Sequence, residues 1–234
     1  MNLDAVSERL FESLVEGDRD GARQLVTKTL TSGNDPRDLY ADVYWPVYER
    51  IEKLHRADQM SVLTHHFATR LLRVLVDQTA GRFAQASVRK RTVLAVCGPT
   101  DPDELAAQMS VDLLEADGYQ VRFAGGGIAN DEILGEIQST HPHVLVFFAS
   151  AASDLPAIRR LIDTVQEIGA CRDLQIVVGG GVFNRADDLA EEIGSDLWAC
   201  SPSDLVEEMN ALPERRATED QRTVGKNKHT RHAA

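Results

Sequence analysis

The apolar residues of this chain change their spacing between Ala86 and Thr92, and no single kind of secondary structure accommodates both spacings. Up to Ala86 they recur every three or four positions, as in Leu3, Val6, Leu10 and Leu14, then Leu39, Val43, Val47, Ile51 and Leu54. That period lays them along one face of a helix. From Thr92 onward they gather in short unbroken runs, Thr92 to Gly98, Tyr119 to Phe123, Val144 to Ala149 and Leu174 to Val178, separated by helical patterns such as Leu105, Met109 and Leu113. Runs of that length, apolar on both faces, are strands buried between layers.

The breaks in the first half fall at Gly17-Asp18, at Ser32 to Pro36 and around Ala57-Asp58, which divides it into four helices. Short connections make them a four-helix bundle over 1–86, the third helix kinked by Pro46. Residues 87–91 form a basic linker. Over 92–212, alternating strands and helices predict an α/β domain with a doubly wound, flavodoxin-like parallel sheet of five strands. Its fifth strand is Ser195 to Ala199, and a helix from Pro202 to Leu212 closes it. Residues 213–234 lack apolar periodicity, and from Gln221 they carry Arg222, Lys226, Lys228 and Arg231 with no acid, so a disordered basic tail is expected.

With 234 residues, two modest domains fit the length. A net charge of −12 repels a phosphate backbone, which leaves the basic tail as the one weak route to nucleic acid, to an acidic partner or to the acidic body itself. No apolar run is long enough to span a membrane and no leader is evident, so a cytoplasmic location is expected. Cys97, Cys171 and Cys200 form no CxxC pair and are expected to be buried, reduced thiols.

In doubly wound sheets the ligand lies beyond the carboxyl ends of the strands, which directs attention to the loops after Cys97, Phe123, Ala149 and Val178. Two are glycine-rich, Gly125-Gly126-Gly127 and Gly179-Gly180-Gly181, where absent side chains permit a tight turn or the close approach of a ligand. Neither GxGxxG nor GxxxxGK[ST] occurs, which removes the usual dinucleotide and nucleoside triphosphate signatures.

A helical bundle followed by this sheet, with Val177-Val178-Gly179-Gly180-Gly181-Val182-Phe183 after the fourth strand and Ile193-Gly194-Ser195-Asp196 before the fifth, resembles the cobalamin-binding modules of methionine synthases, corrinoid carrier proteins and cobalamin photoreceptor repressors. The resemblance implies a corrin ring between bundle and sheet, with its nucleotide tail running along the glycine loops past Gly98, Gly125, Gly126, Gly179, Gly180 and Gly181. It also implies a cobalt ligand in the loop after the first strand. There the family's G-D-x-H-x-x-G motif is replaced by Gly98-Pro99-Thr100-Asp101-Pro102-Asp103-Glu104, which puts Asp101 at the histidine position as a candidate metal ligand. A carboxylate is a harder donor than imidazole, and Asp101 followed by Pro102 and Glu104 reads instead as a helix N-cap with its capping box and a solvated first turn. The family's upper-face motif, W-x9-E-H, falls on His55, His65 and His66, of which His55 and His66 are expected to face one cleft. Its S-x-L motif falls on Phe148-Ala149-Ser150, with Ser150 or Ser153 as hydroxyl donor to the tail and Phe148 narrowing the channel.

Three functions follow from the resemblance. The main expectation is a non-catalytic sensor that binds cobalamin or another tetrapyrrole and acts through a regulatory partner protein or through self-association. The alternatives are a ligand-free interaction module and a corrinoid carrier serving a methyltransferase. No catalytic triad or carboxylate pair suggests an independent enzyme.

Overall fold

The computed structural model describes residues 2–169, 171, 173–186 and 188–218. Helices α1 (Leu3–Glu16), α2 (Arg19–Thr31), α3 (Pro36–Leu39), α4 (Trp45–Arg56) and α5 (Val62–Ala80) build the N-terminal bundle. Its stops are chemical. Gly17 ends α1 in the left-handed region at φ 73°, Asp18 caps α2 by accepting from the Gly21 amide, and Ser61 caps α5 at Thr64. Helices α3 and α4 are continuous through a π segment, Tyr40–Tyr44, in which the Trp45 amide donates to the Tyr40 carbonyl. Pro46 has no amide to give Asp42, and the widened turn just before it absorbs that missing bond. The third helix of the bundle thus carries a π segment just before Pro46, the residue at which a kink was expected.

Strands β1 (Thr92–Cys97), β2 (Gln120–Gly126), β3 (Val144–Phe148), β4 (Gln175–Gly179) and β5 (Leu197–Ala199) form one parallel sheet in the order β2-β1-β3-β4-β5. This is the doubly wound order expected of alternating elements. Helices α6 (Asp101–Ala116) and α11 (Pro202–Ala211) cover the bundle-side face; α7 (Asn130–Thr140), α8 (Leu155–Ile168) and α10 (Leu189–Glu192) cover the other. Short α9 (Gly181–Asn184) follows β4 directly. The core of the bundle runs without interruption into the covered sheet face, from Val6 and Leu72 through Met109 to Val146 and Met209. The linker is pinned rather than free, since the Ala86 and Arg89 amides donate to Ala116 and Gly118.

One buried hydrogen bond fastens the bundle to the domain, and a second ties α5 to the π segment within the bundle. Tyr40 donates to Asp112 of α6 at 2.7 Å, and Tyr44 shares a 2.8 Å bond with Thr79. Burial pushes the Asp112 carboxyl above the usual carboxylate range, with Asp77 adding to the shift and the bonds from Tyr40 and Gln108 opposing it. A raised native pKa means that the fold holds this proton more firmly than the unfolded chain does. Its contribution is therefore present at or below the ordinary carboxylate pKa and is lost as pH rises through the native value. Urea unfolding of wild type and Asp112→Asn at points between about pH 4 and pH 7 should show a steeper fall in stability for the wild type. Parallel curves would remove Asp112 as the cause.

Residues 213–218 are held, contrary to a tail beginning at 213. Arg216 donates to the Asp173 carbonyl, the Ala217 amide to Asp196, and Arg215 lies over Trp198 at 5.1 Å. The basic residues Arg222, Lys226, Lys228 and Arg231 lie outside the described residues. No described helix is long and apolar enough to cross a membrane.

Candidate functional site

Strand order reverses between β1 and β3, and the loops at their carboxyl ends, with that of β4, face helix α4 of the bundle. Between them lies an open cleft of about 410 Å³, bordered by Trp45, Tyr48, Arg56, Ser150, Gly181 and Arg185. That volume lies in the range of ordinary small-molecule sites. Trp45 stacks on Tyr48 with centroids 5.2 Å apart, giving the cleft a flat aromatic side. Opposite it, Arg185 donates to the Ser150 carbonyl at 2.6 Å. Burial lowers the Arg185 pKa and the nearby Arg56 lowers it further, while Glu49 is raised by its own burial. The cleft therefore presents guanidinium donors beside an aromatic face, a chemistry suited to a planar ligand with peripheral acceptors.

The loop after β1 is a helix start, and its cap is one residue earlier than the sequence suggested. Thr100 accepts from the Asp103 amide and donates to the Asp103 carboxylate at 2.5 Å, which makes Thr100 the N-cap and places Asp101 and Pro102 inside the first turn. Asp103 is 2% exposed, not solvated. It also receives the Ser150 hydroxyl, and burial raises its pKa despite those bonds. Asp101 points outward to Arg70 at 3.6 Å, and Glu104 pairs with Arg73 at 2.9 Å. Among the described residues no group of three His, Cys, Asp or Glu side chains is placed to hold a metal ion. Thr100→Ala should cost about 1 kcal/mol in urea unfolding, and Asp101→Ala less than about 0.5 kcal/mol. The reverse order would restore Asp101 as the cap.

The histidines are arranged differently from the expectation as well. His65, not His66, is buried, bonded to Glu52 of α4 at 2.6 Å and stacked on half-buried His55 at 3.9 Å. His66 is exposed and sits edge-on to His65. Neither His55 nor His66 borders the cleft. The thiols also differ from expectation: Cys97 and Cys171 are half-buried, and Cys200 is exposed. Burial pushes the Cys97 thiol up to about 12, helped by Glu104 and Asp103.

The glycine runs divide their work. Gly181 borders the cleft. Gly126 lets the ends of β1 and β2 come together, since a Cβ there would enter the Gly98 carbonyl, and Gly98 makes room for the Asp103 carboxylate of α6, 2.5 Å from where its own Cβ would stand. Gly125 stands 3.4 Å from Glu104 by the same measure. Behind the cleft is a slot whose wall includes the small residues Ala106, Ser110, Gly179, Ala199 and Ser201 beside Pro202 and Leu205, with Phe148 among them. The space left is about 10 Å³, roughly what one water requires.

Two family profiles match, both described as a B12 binding domain, one over residues 6–79 and the other over residues 91–203. The chain belongs to the cobalamin-binding module family. Its helical cap is the bundle and its Rossmann-like part is the sheet. Among solved structures, the monomethylamine corrinoid protein of Methanosarcina barkeri aligns with a TM-score of 0.78 at 16% identity, over 89% of this chain and 98% of that one. A cobalamin-binding protein from Desulfitobacterium hafniense aligns at TM-score 0.48 and 14% identity, over 90% of this chain and 98% of that one. The methanol:cobalamin methyltransferase complex MtaBC of M. barkeri aligns at TM-score 0.49 and 18% identity, over 97% of this chain and 86% of that one. No curated protein matches the chain by sequence.

Cobalamin is the cofactor that the two matched domains support, and this module's own residues fit it unevenly. The aromatic and guanidinium-lined cleft suits the edge of a corrin. The slot does not suit a nucleotide tail, because Phe148 fills it, and the loop below offers an outward Asp101 in place of an inward imidazole. Sequence reasoning missed Trp45, Tyr48, Arg56 and Arg185, although Trp45 and Arg56 stand at the first and last positions of the W-x9-E-H spacing that includes His55. Nothing local distinguishes Tyr48 and Arg185, and the approach of α4 to the β3 and β4 loops brings all four together.

Proposed function

We propose that this module is a corrinoid carrier: it holds a corrinoid in the cleft between α4 and the strand ends and presents it to a methyltransferase partner, without turnover of its own. The observation that carries the proposal is the cleft at the switch point of the sheet, roofed by a bundle that matches the helical B12 domain. The likeness in fold to a protein described as a monomethylamine corrinoid protein, over nearly all of that protein, supports a carrier above a sensor. One support for the sensor expectation, His55 and His66 facing one cleft, is missing, since neither borders it.

A ligand-free interaction module is the second reading, favoured by the filled slot and by three bonds that join bundle to loop directly. These are Tyr48 to the Pro102 carbonyl at 3.1 Å, Arg73 to Glu104 and Arg70 to Asp101. The test is to incubate the full chain in the dark with hydroxocobalamin, methylcobalamin and haem, desalt, and record absorption. Retention of stoichiometric corrinoid supports the carrier. Retention of haem alone would change the ligand class, and retention of nothing would establish the ligand-free module.

A further inference from the structure

We propose that Phe148 seals the slot beside the cleft, so that this module binds corrinoids whose nucleotide tail is missing or stays outside the protein, in preference to inserting the tail. The inference rests on the corrinoid reading above and goes beyond it by naming which corrinoids are taken and in what form.

The slot's shape carries the argument. Its walls come from four elements, Ala106 and Ser110 on α6, Gly179 at the end of β4, Ala199 at the end of β5, and Ser201 before α11. These small residues, with Pro202 and Leu205 as the larger neighbours, leave a narrow space that a flat ring fits. Phe148, at the end of β3, fills it from within: a Cβ built on Gly179 would stand 3.4 Å from two atoms of its ring. The ring is 4% exposed, and Trp45, 9% exposed, closes the mouth from the bundle side. A tail entering here would have to expel a buried phenyl group and give up its apolar burial. Nothing equivalent opposes a corrin edge in the cleft, which is already open to solvent.

The lower face agrees with this. A tail that enters a protein must leave cobalt, and a protein side chain can then take its place. The residue at that point is Asp101, turned toward Arg70, and the nearest loop neighbours Asp103 and Glu104 are already bonded to Thr100 and Arg73. His141 and His143 lie at the opposite end of the sheet, His143 against Thr92 at the start of β1. This loop therefore offers no side chain to replace a displaced base, and a corrinoid that keeps its own base on cobalt loses nothing by that.

Three probes test the proposal on the full chain: dicyanocobinamide, which has no nucleotide, hydroxocobalamin, and methylcobalamin, read by equilibrium titration and by absorption of the bound form. The wild type is expected to bind cobinamide at least as tightly as cobalamin and to leave bound methylcobalamin with its base on cobalt. Phe148→Ala should shift the preference toward cobalamin by about tenfold and convert bound methylcobalamin to the base-off spectrum. Phe148→Leu, which shortens the ring without emptying the slot, should shift it in the same direction by less, and serves if the alanine variant does not fold. Wild-type protein that binds cobalamin base-off and rejects cobinamide overturns the sealed slot while leaving the carrier intact. A preference unmoved in both variants overturns it too, and failure to bind any of the three corrinoids overturns both proposals.

Discussion

Tyr40→Ala is expected to destabilise the protein by about 3–5 kcal/mol, and Tyr40→Phe by about 1–3 kcal/mol. Two separate losses make up the first figure. Tyr40 is fully buried, packed edge-on against Phe83 at 4.8 Å and tilted against Tyr44 at 5.5 Å, so alanine leaves a cavity among side chains that cannot collapse together. Its hydroxyl donates to Asp112 and faces the Val76 carbonyl at 3.1 Å, so either variant leaves a buried carboxyl with one partner fewer. Phenylalanine keeps the packing and isolates that second loss. Because Tyr40 lies in the π segment and Asp112 in α6, the bond also fixes the bundle's seat on the α/β domain. Both changes should lower the urea midpoint. An alanine variant no less stable than the phenylalanine variant would mean that the site relaxes around the void.

Much of the architecture was legible because its causes are local. Gly17 at φ 73° and Asp35 before Pro36 act on their immediate neighbours, and those breaks were readable from residue type. Apolar runs such as Val144 to Phe148 identify buried parallel strands, and alternation with helices then restricts the strand order. What escaped was each choice between neighbours of equal local merit. Thr100 and Asp101 are both good caps; the first is used because Asp103 is drawn inward to Ser150, 47 positions away. His65 and His66 are equal on the helix, and Glu52 of α4 selects His65. The π segment depends on Pro46 together with the partners awaiting Tyr40 and Tyr44, which no periodicity displays.

The site follows the same division. Its loops were predictable from the strand order, and its chemistry was not, since Trp45 and Tyr48 come from the bundle and Arg185 from a turn after β4. The family pattern pointed to Gly179, Gly180 and Gly181 as a group, although their surroundings give each a different task.

That difference yields the second large effect. Gly180→Ala is expected to cost about 3 kcal/mol and to weaken corrinoid retention, whereas Gly181→Ala should change stability by less than about 0.5 kcal/mol. Gly180 has φ 101° and ψ 168°, a conformation open essentially to glycine alone. A Cβ there would be driven into the Ala149 carbonyl oxygen and would stand 2.8 Å from the Ala149 amide nitrogen. Backbone cannot step aside as a side chain can. Relief would have to break the bonds that cross this point, from the Ala149 amide to the Gly179 carbonyl at 3.0 Å and from the Val182 amide to the Ala149 carbonyl at 3.2 Å. Those bonds hold the β3 and β4 ends together, and with them Ser150 and Gly181 at the cleft. At Gly181 the nearest atom is the guanidinium tip of Arg185, 2.6 Å from where the alanine methyl would sit, and a flexible tip can swing away. Urea midpoints and corrinoid titration of the two variants should therefore separate: Gly180→Ala loses both, and Gly181→Ala keeps stability and shifts only the binding that depends on Arg185. Equal stability in the two would show that the β3–β4 crossing yields more readily than its bonding implies, and would free the glycine run for a direct role against the ligand.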